Sequence, residues 1–113
     1  AVTTTLSGCM TAANNGSFFE VDRFTVTYGT AALMTIEVAN SSVVCNYSGT
    51  AFYTTNGGDV TVPAGTFSCN NGFGGTWAAD RVVFDPVGLL VNFIGKYTVG
   101  ETCSSVGHIG AAR

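Results

Sequence analysis

The residues that could carry out chemistry in this chain are few, and they form no recognisable catalytic pattern. His108 is the only histidine among 113 residues. A dyad of His108 with Ser104 or Ser105 would also need an aligned acid and an oxyanion hole, and the sequence indicates neither. One imidazole cannot hold a metal ion without carboxylate or thiolate ligands, and we expect the cysteines to be in disulfides. We therefore predict no catalytic residues, no enzyme activity, no metal site and no cofactor, and we interpret His108 as an ordinary strand residue.

The carboxylates show no spacing that identifies an acid–base pair. They are Glu20, Asp22, Glu37, Asp59, Asp80, Asp85 and Glu101. Glycosidase chemistry requires two carboxylates at a defined separation, and no such pair can be identified in the sequence. We expect these residues to be solvated side chains in turns.

Two charged pairs recur along the chain, Asp22-Arg23 and Asp80-Arg81. Neighbouring residues of a strand point to opposite faces, so the Asp and the Arg of one pair do not meet directly. One interpretation is that the two copies form a symmetric polar site. The interpretation that we favour is structural: each Asp holds a turn or a backbone amide, and each Arg covers a sheet edge or pairs across strands.

An internal repeat organises the sequence. CMTAANNGSFF begins at Cys9 and CNNGFGGTW begins at Cys69, and both pass through Asn-Asn-Gly to a glycine, a hydroxyl residue and an aromatic. An Asp-Arg pair, an alternating segment and a second cysteine follow in the same order, at an offset of about 60 residues. We interpret this as a tandem duplication within a single β domain, 1–113, with repeats at about 1–55 and 56–113.

Four cysteines in a short chain predict two disulfides and an oxidising compartment. A duplicated unit most simply carries its own bridge, which predicts Cys9–Cys45 and Cys69–Cys103. If the halves exchanged strands after the duplication, a crossed pairing would follow instead.

Aromatic residues cluster near glycine-rich turns. The candidates for binding or subunit contact are Phe18, Phe52, Tyr53, Phe73 and Trp77. Exposed, they would suit stacking on a sugar ring or docking on another subunit; buried, they would close the ends of the core. Gly75-Thr76-Trp77 on a meander strand resembles the avidin-like up-and-down barrels. That resemblance covers three residues and the strand count, and it implies a small-ligand site at one mouth without assigning binding residues.

The periodicity of the sequence predicts an all-β fold. Apolar residues alternate with polar ones at period 2, and helix signals are nearly absent. The predicted strands are 2–10, 17–28, 32–40, 43–53, 59–69, 75–85, 88–98 and 102–111. Because the predicted bridges join the first and fourth strands of each half, we expect these eight antiparallel strands to close into a β-sandwich or a flattened barrel. The predicted core contains Phe24, Val26, Ile36, Val38, Val82, Phe84, Val91 and Phe93.

The composition limits the partners of the protein. Only 10% of the residues are charged, against about 25% in an average soluble domain, and the net charge is −3. Four bases cannot neutralise a row of phosphates, which excludes nucleic acid as a partner. No apolar stretch approaches the roughly 20 residues of a membrane helix, so we expect no membrane insertion. The start at Ala1 and the cysteines predict a secreted protein, extracellular or at the cell surface.

Two functions fit these features. The first is a disulfide-stabilised structural subunit that self-assembles with other copies of itself into an extracellular fibre, a pilus-like filament or a surface layer. The low charge and the strand-forming termini, either of which could add to a neighbour's sheet edge, favour it. The alternative is a secreted β-barrel or β-sandwich module that binds a glycan or a small ligand at its aromatic-rich loops.

Overall fold

The chain folds almost entirely into strands. A computed structural model describes residues 2–20, 23–28, 33–39, 42–53, 60–84 and 88–112. The elements are β1 (Val2–Ser7), the 3-10 helix η1 (Ala12–Asn14), β2 (Gly16–Glu20), β3 (Arg23–Tyr28), β4 (Leu33–Ala39), β5 (Val44–Thr50), β6 (Phe52–Tyr53), β7 (Val60–Cys69), β8 (Gly74–Phe84), β9 (Gly88–Val99) and β10 (Cys103–Ala112). The all-β prediction is confirmed. Within the described ranges no helix is long and apolar enough to span a membrane.

All of these strands belong to one antiparallel sheet that curls into a half-barrel. The strand order is β2-β1-β10-β9-β8-β7-β5-β4-β3, and the short β6 pairs with β7. The two edge strands follow each other in the chain, so Glu20 and Arg23 are at most about 11 Å apart. A flat sheet of nine strands would separate its edges by about 38 Å. The sheet must therefore curve until its edges approach each other, and of the two predicted forms the barrel describes it better than the sandwich.

The strand count of the first half differs from the prediction. The predicted strand 17–28 is two strands on opposite edges of the sheet. β2 pairs with β1 up to Glu20, which lies opposite Val2, and β3 pairs with β4 from Arg23, which lies opposite Ala39. In the second half β8 remains continuous through a register shift between Ala79 and Arg81. The two halves are therefore not copies of one four-stranded unit, and the repeat prediction is wrong in this respect.

Both disulfides differ from the predicted pairing. The bridges are Cys9–Cys103 and Cys45–Cys69, with Cα–Cα distances of 4.3 and 4.0 Å. The reason lies in the topology, because β1 pairs with β10 and β5 pairs with β7. The first strand of each half thus lies beside the last strand of the other half, and each bridge joins these neighbours. This is the crossed arrangement.

The terminal strands lie inside the sheet. β1 and β10 pair with each other, from Val2 opposite Ile109 to Ser7 opposite Ser104. β1 also pairs with β2, and β10 also pairs with β9. The expectation that either terminal strand adds to a neighbouring sheet edge is therefore wrong. Among the described strands, β2 and β3 are the edges.

The concave face of the sheet carries the hydrophobic core. Its largest fully buried side chains are Met34, Ile36, Val62, Val82 and Val91. Of the predicted core, Ile36, Val82 and Val91 are buried, and Phe24, Val26, Val38 and Phe93 are half-buried against that cluster. The side chain of Phe84 lies outside the described residues.

A row of hydroxyl groups crosses the convex face. One row of directly opposed residues crosses eight strands: Ser7, Ser104, Lys96, Thr76, Thr66, Ser48, Thr35 and Thr27. Seven of these eight side chains are hydroxyls and one is charged. The low charge of the chain thus coexists with a hydrated outer surface.

Candidate ligand cavity in the half-barrel

The concave face encloses a cavity of about 340 Å³. Its floor includes Val2, Ile109 and Val91, which belong to a row of aliphatic residues directly opposed across five strands. The row is Val2, Ile109, Val91, Val82 and Val60. Toward the other end of the strands the lining becomes aromatic, and at the mouth it includes Asn14, Asn71, Glu101, Cys45, Cys69 and Cys103. The sheet therefore forms an apolar cup with a polar rim.

Trp77 forms part of the wall and does not cross the cavity. The buried indole extends from β8 over β7 to β5, because Nε1 donates hydrogen bonds to the carbonyl oxygens of Thr66 (3.1 Å) and Ser48 (3.2 Å). Gly65 on β7 lies directly opposite Trp77 and offers no side chain to displace the ring. The indole lies along the sheet as a result, which leaves the centre of the cup open.

Four further aromatic contacts extend this wall toward the mouth. Tyr47 stacks on Phe67 with ring centroids 4.8 Å apart and meets Trp77 edge-on at 5.7 Å. Tyr97 meets Phe67 at 5.2 Å and Phe73 at 6.1 Å, both in T-shaped contacts. Such geometries are the favoured ones for aromatic pairs. All five rings line the cavity, so its wall is rich in π faces.

Glu101 lies at the rim of the cavity and holds two parts of it together. Its carboxylate is 5% exposed and accepts four hydrogen bonds, two at each oxygen. The donors are the backbone amides of Thr102 (2.8 Å), Met10 (3.0 Å) and Thr11 (3.3 Å) and the side-chain amide of Asn14 (2.6 Å). The hydrogen bond from the Thr102 amide, followed by that from Asn14, holds the pKa of Glu101 below its usual range against the opposing effect of burial. Glu101 therefore fastens the segment around η1 to the turn between β9 and β10.

The role of Glu101 corrects the expectation that every carboxylate is a solvated turn residue. Three of its donors belong to a segment about ninety positions earlier in the chain. No local signal in the sequence marks such an arrangement, because it depends on β1 and β10 being neighbours.

Ser105 and His108, the elements of the dyad considered in the sequence, point to opposite faces of β10. Ser105 lines the cavity and is buried, whereas His108 is on the convex face, where its Nδ1 lies 2.6 Å from Oδ1 of Asn92. Ser104 shares the convex face with His108 but is four residues away on an extended strand. Neither serine therefore lies beside the imidazole of His108.

Three of the five aromatic candidates converge on the cavity: Phe18, Phe73 and Trp77. Phe52 is instead exposed on β6, and the side chain of Tyr53 lies outside the described residues. Of the repeated charged pairs, Arg23, Asp80 and Arg81 are exposed on the sheet, and Asp22 lies outside the described residues. The cavity therefore contains none of the described members of these pairs.

Comparison of the chain with protein-family models, with curated proteins and with solved structures finds no match. Any functional assignment thus depends on the cavity and the sheet surface themselves.

Proposed function

We propose that the protein binds a small, mostly apolar molecule in the cup of the half-barrel. The observation that carries this proposal is the cavity of about 340 Å³ with an aliphatic floor, an aromatic wall and a polar rim. Ligand pockets typically have volumes of about 300–1,000 Å³, apolar linings and a small number of polar groups.

The rim of the cup supports this proposal because it is fastened on several sides. Cys45, Cys69 and Cys103 line the cavity, so each disulfide contributes to its wall, and Glu101 holds the segment around η1. A site that is already ordered loses less conformational entropy when a ligand binds. The aromatic side chains favour a ligand inside the cup over a glycan on the surface, because Trp77 is buried.

Two disulfides are compatible with an extracellular location, since such bonds persist in oxidising compartments. We therefore place the binding function outside the cell, as a secreted carrier or receptor module. A β fold held by two disulfides suits that environment.

The test of the proposal is a titration with N-phenyl-1-naphthylamine, a neutral probe whose fluorescence rises in apolar surroundings. We expect saturable binding with one site per chain. Thr4→Phe places a ring in the cup, since Thr4 lines the cavity, and should weaken binding at least tenfold. Thr5→Phe is the matched control, because Thr5 is exposed on the convex face.

Circular dichroism and thermal unfolding establish that both variants keep the native fold. Absence of saturable binding to the native protein would refute the proposed function. If a folded Thr4→Phe variant binds the probe as tightly as the native protein does, the probe binds at another site. That result would also refute the proposed function.

A second candidate function is self-assembly, and the exposed edge of the sheet favours it. β2 pairs on one side only, with β1, and it carries Phe19, which is 69% exposed. Ile94 and Val106 are directly opposed on the convex face and are also exposed. An edge strand with an exposed aromatic side chain and few charges is suited to pairing with the same strand of another copy.

Light scattering at micromolar concentration tests this second candidate. We expect ordered assemblies of the native protein, and we expect Phe19→Lys to reduce them because a charge on an edge strand opposes pairing. Thr98→Lys, at an exposed position of the interior strand β9, is the control and should assemble like the native protein. A uniform species of 11.6 kDa at every concentration would rule self-assembly out.

A further inference from the structure

Ser105 is a buried hydroxyl without a hydrogen-bond partner among the described residues. It is 6% exposed and lines the cavity in the middle of its wall. Burying a hydroxyl without a partner costs free energy, and native proteins rarely retain one without a compensating role. The position of Ser105 therefore requires an explanation that the packing of the core does not supply.

The side chains opposite Ser105 on the adjacent strands do not bond its hydroxyl. Leu6 is opposite it on β1 and Gly95 is opposite it on β9, and neither carries a polar side chain. Oγ of Ser105 lies 2.8 Å from the point where a Cβ at Gly95 would be. The hydroxyl thus extends over the glycine, into space that belongs to the cup.

The charges around the cup define the ligand further. Glu101 is the only carboxylate among the described lining residues, and those residues include no Lys, Arg or His. Both oxygens of Glu101 already accept two hydrogen bonds each, so they offer little to a cationic ligand. An anion would enter beside a carboxylate with no cation to compensate, which costs free energy.

From these observations we infer that the ligand of the cup is a neutral molecule with one hydroxyl or carbonyl group that hydrogen-bonds to Ser105 Oγ, while its apolar body packs against the aromatic wall. This inference rests on the proposed binding function and assigns Ser105 as the residue that determines ligand specificity. Removal of the hydroxyl should then remove a preference for oxygen-bearing ligands and should leave the binding of hydrocarbons intact.

Calorimetry with three probes of one shape tests the assignment: 2-naphthol, 2-methylnaphthalene and 2-naphthoate. We expect the native protein to bind 2-naphthol about tenfold more tightly than 2-methylnaphthalene, the size of effect of one net hydrogen bond. It should bind 2-naphthoate most weakly. Ser105→Ala should bind the first two equally, and Ser104→Ala, on the convex face, should keep the native preference.

Thermal unfolding provides a readout that needs no ligand. Because Ser105→Ala removes an unsatisfied hydroxyl, the variant should be as stable as the native protein or more stable. A marked loss of stability would mean that the hydroxyl has an internal partner, and it would overturn the assignment.

The failures of the two proposals can be told apart. Suppose that N-phenyl-1-naphthylamine binds but the native protein does not prefer 2-naphthol over 2-methylnaphthalene, or that Ser105→Ala keeps this preference. The role of Ser105 is then refuted and the binding function stands. If none of the probes binds to the native protein, the binding function fails and the inference fails with it.

Discussion

Gly65 and Trp77 lie directly opposite each other on β7 and β8, and the indole of Trp77 occupies the space that a side chain at position 65 would need. A Cβ at Gly65 would meet Nε1 of the indole and would approach the carbonyl oxygen of Ser48 to 2.6 Å. The absence of a side chain at one position therefore allows the ring to lie along the sheet and to donate to two carbonyl oxygens on other strands. The open centre of the cup depends on this relationship.

The first prediction concerns Gly65→Ala. The added methyl group must displace the indole or separate β5 from β7, and overpacking of this kind costs about 1–3 kcal/mol of unfolding free energy. Chemical denaturation followed by Trp fluorescence measures both the cost and the changed environment of the ring. Gly110→Ala is the control, because a Cβ there would have only His108 Nε2 near it, at 3.9 Å. Equal stability of the two variants would show that the indole does not depend on Gly65.

Local patterns in the sequence predict the second half of the sheet well. The predicted strands from 59–69 to 102–111 agree within one residue at each end with β7 to β10. Alternation of apolar and polar residues and glycine-rich turns are short-range signals, and in this half each strand pairs with the next along the chain. The same signals identify the aromatic candidates Phe73 and Trp77, since both follow the turn at Asn71-Gly72.

The remaining features depend on contacts between distant parts of the chain. The pairing of Val2 with Ile109 joins residues from the two ends of the chain, and the Cys9–Cys103 bridge follows from it. Because no local signal encodes that pairing, the simplest disulfide assignment was wrong. The role of Glu101 and the role proposed for Ser105 are hidden in the same way. Glu101 accepts from donors in a distant segment, and Ser105 has no hydrogen-bond partner among the residues that the structure describes.

The second prediction concerns acid. The pKa of Glu101 in the folded protein lies below its ordinary value of 4.5, mainly because of the hydrogen bond from the Thr102 amide. A depressed carboxyl pKa contributes stability that is fully present above pH 4.5 and is lost as the pH falls through the folded pKa. We therefore expect the melting temperature to fall below pH 4.5, together with release of the segment around η1. Hydrogen exchange at the Met10 and Thr11 amides measures that release.

Glu101→Gln tests the origin of this pH dependence. Both carboxylate oxygens accept hydrogen bonds, so the amide nitrogen of glutamine would face a donor in either orientation. The variant should melt at a lower temperature near neutral pH and should lose part of the acid-dependent decline. Glu37→Gln, which removes a carboxylate from the convex face of β4, is the matched control. If the melting temperature of Glu101→Gln falls below pH 4.5 as steeply as that of the native protein, the decline arises from other carboxylates.

The third prediction concerns the disulfide pairing. The basic residues Arg23, Arg81 and Lys96 divide the chain into tryptic fragments 1–23, 24–81, 82–96 and 97–113. With the observed bridges, an unreduced digest of the denatured protein should contain 1–23 joined to 97–113, and 24–81 with an internal bridge. Pairing within each half would instead join 1–23, 24–81 and 97–113 into one species. Mass spectrometry distinguishes these outcomes by the mass of the species that contains fragment 1–23.

The fourth prediction compares the two bridges energetically. Cys9–Cys103 joins residues 94 positions apart and Cys45–Cys69 joins residues 24 positions apart. In the chain-entropy model a longer closed loop restricts the unfolded state more, so removal of the first bridge should cost about 1 kcal/mol more than removal of the second.

Replacement of each cysteine pair by serine, followed by urea denaturation, measures the difference. The Cys9–Cys103 pair also lies beside Glu101, and its removal leaves that carboxylate to hold the rim without covalent support. We therefore expect faster hydrogen exchange at the Met10 and Thr11 amides in this variant only. A larger loss of stability without Cys45–Cys69, or equal exchange at the rim in both variants, would contradict the view that the longer bridge fastens the mouth of the cup.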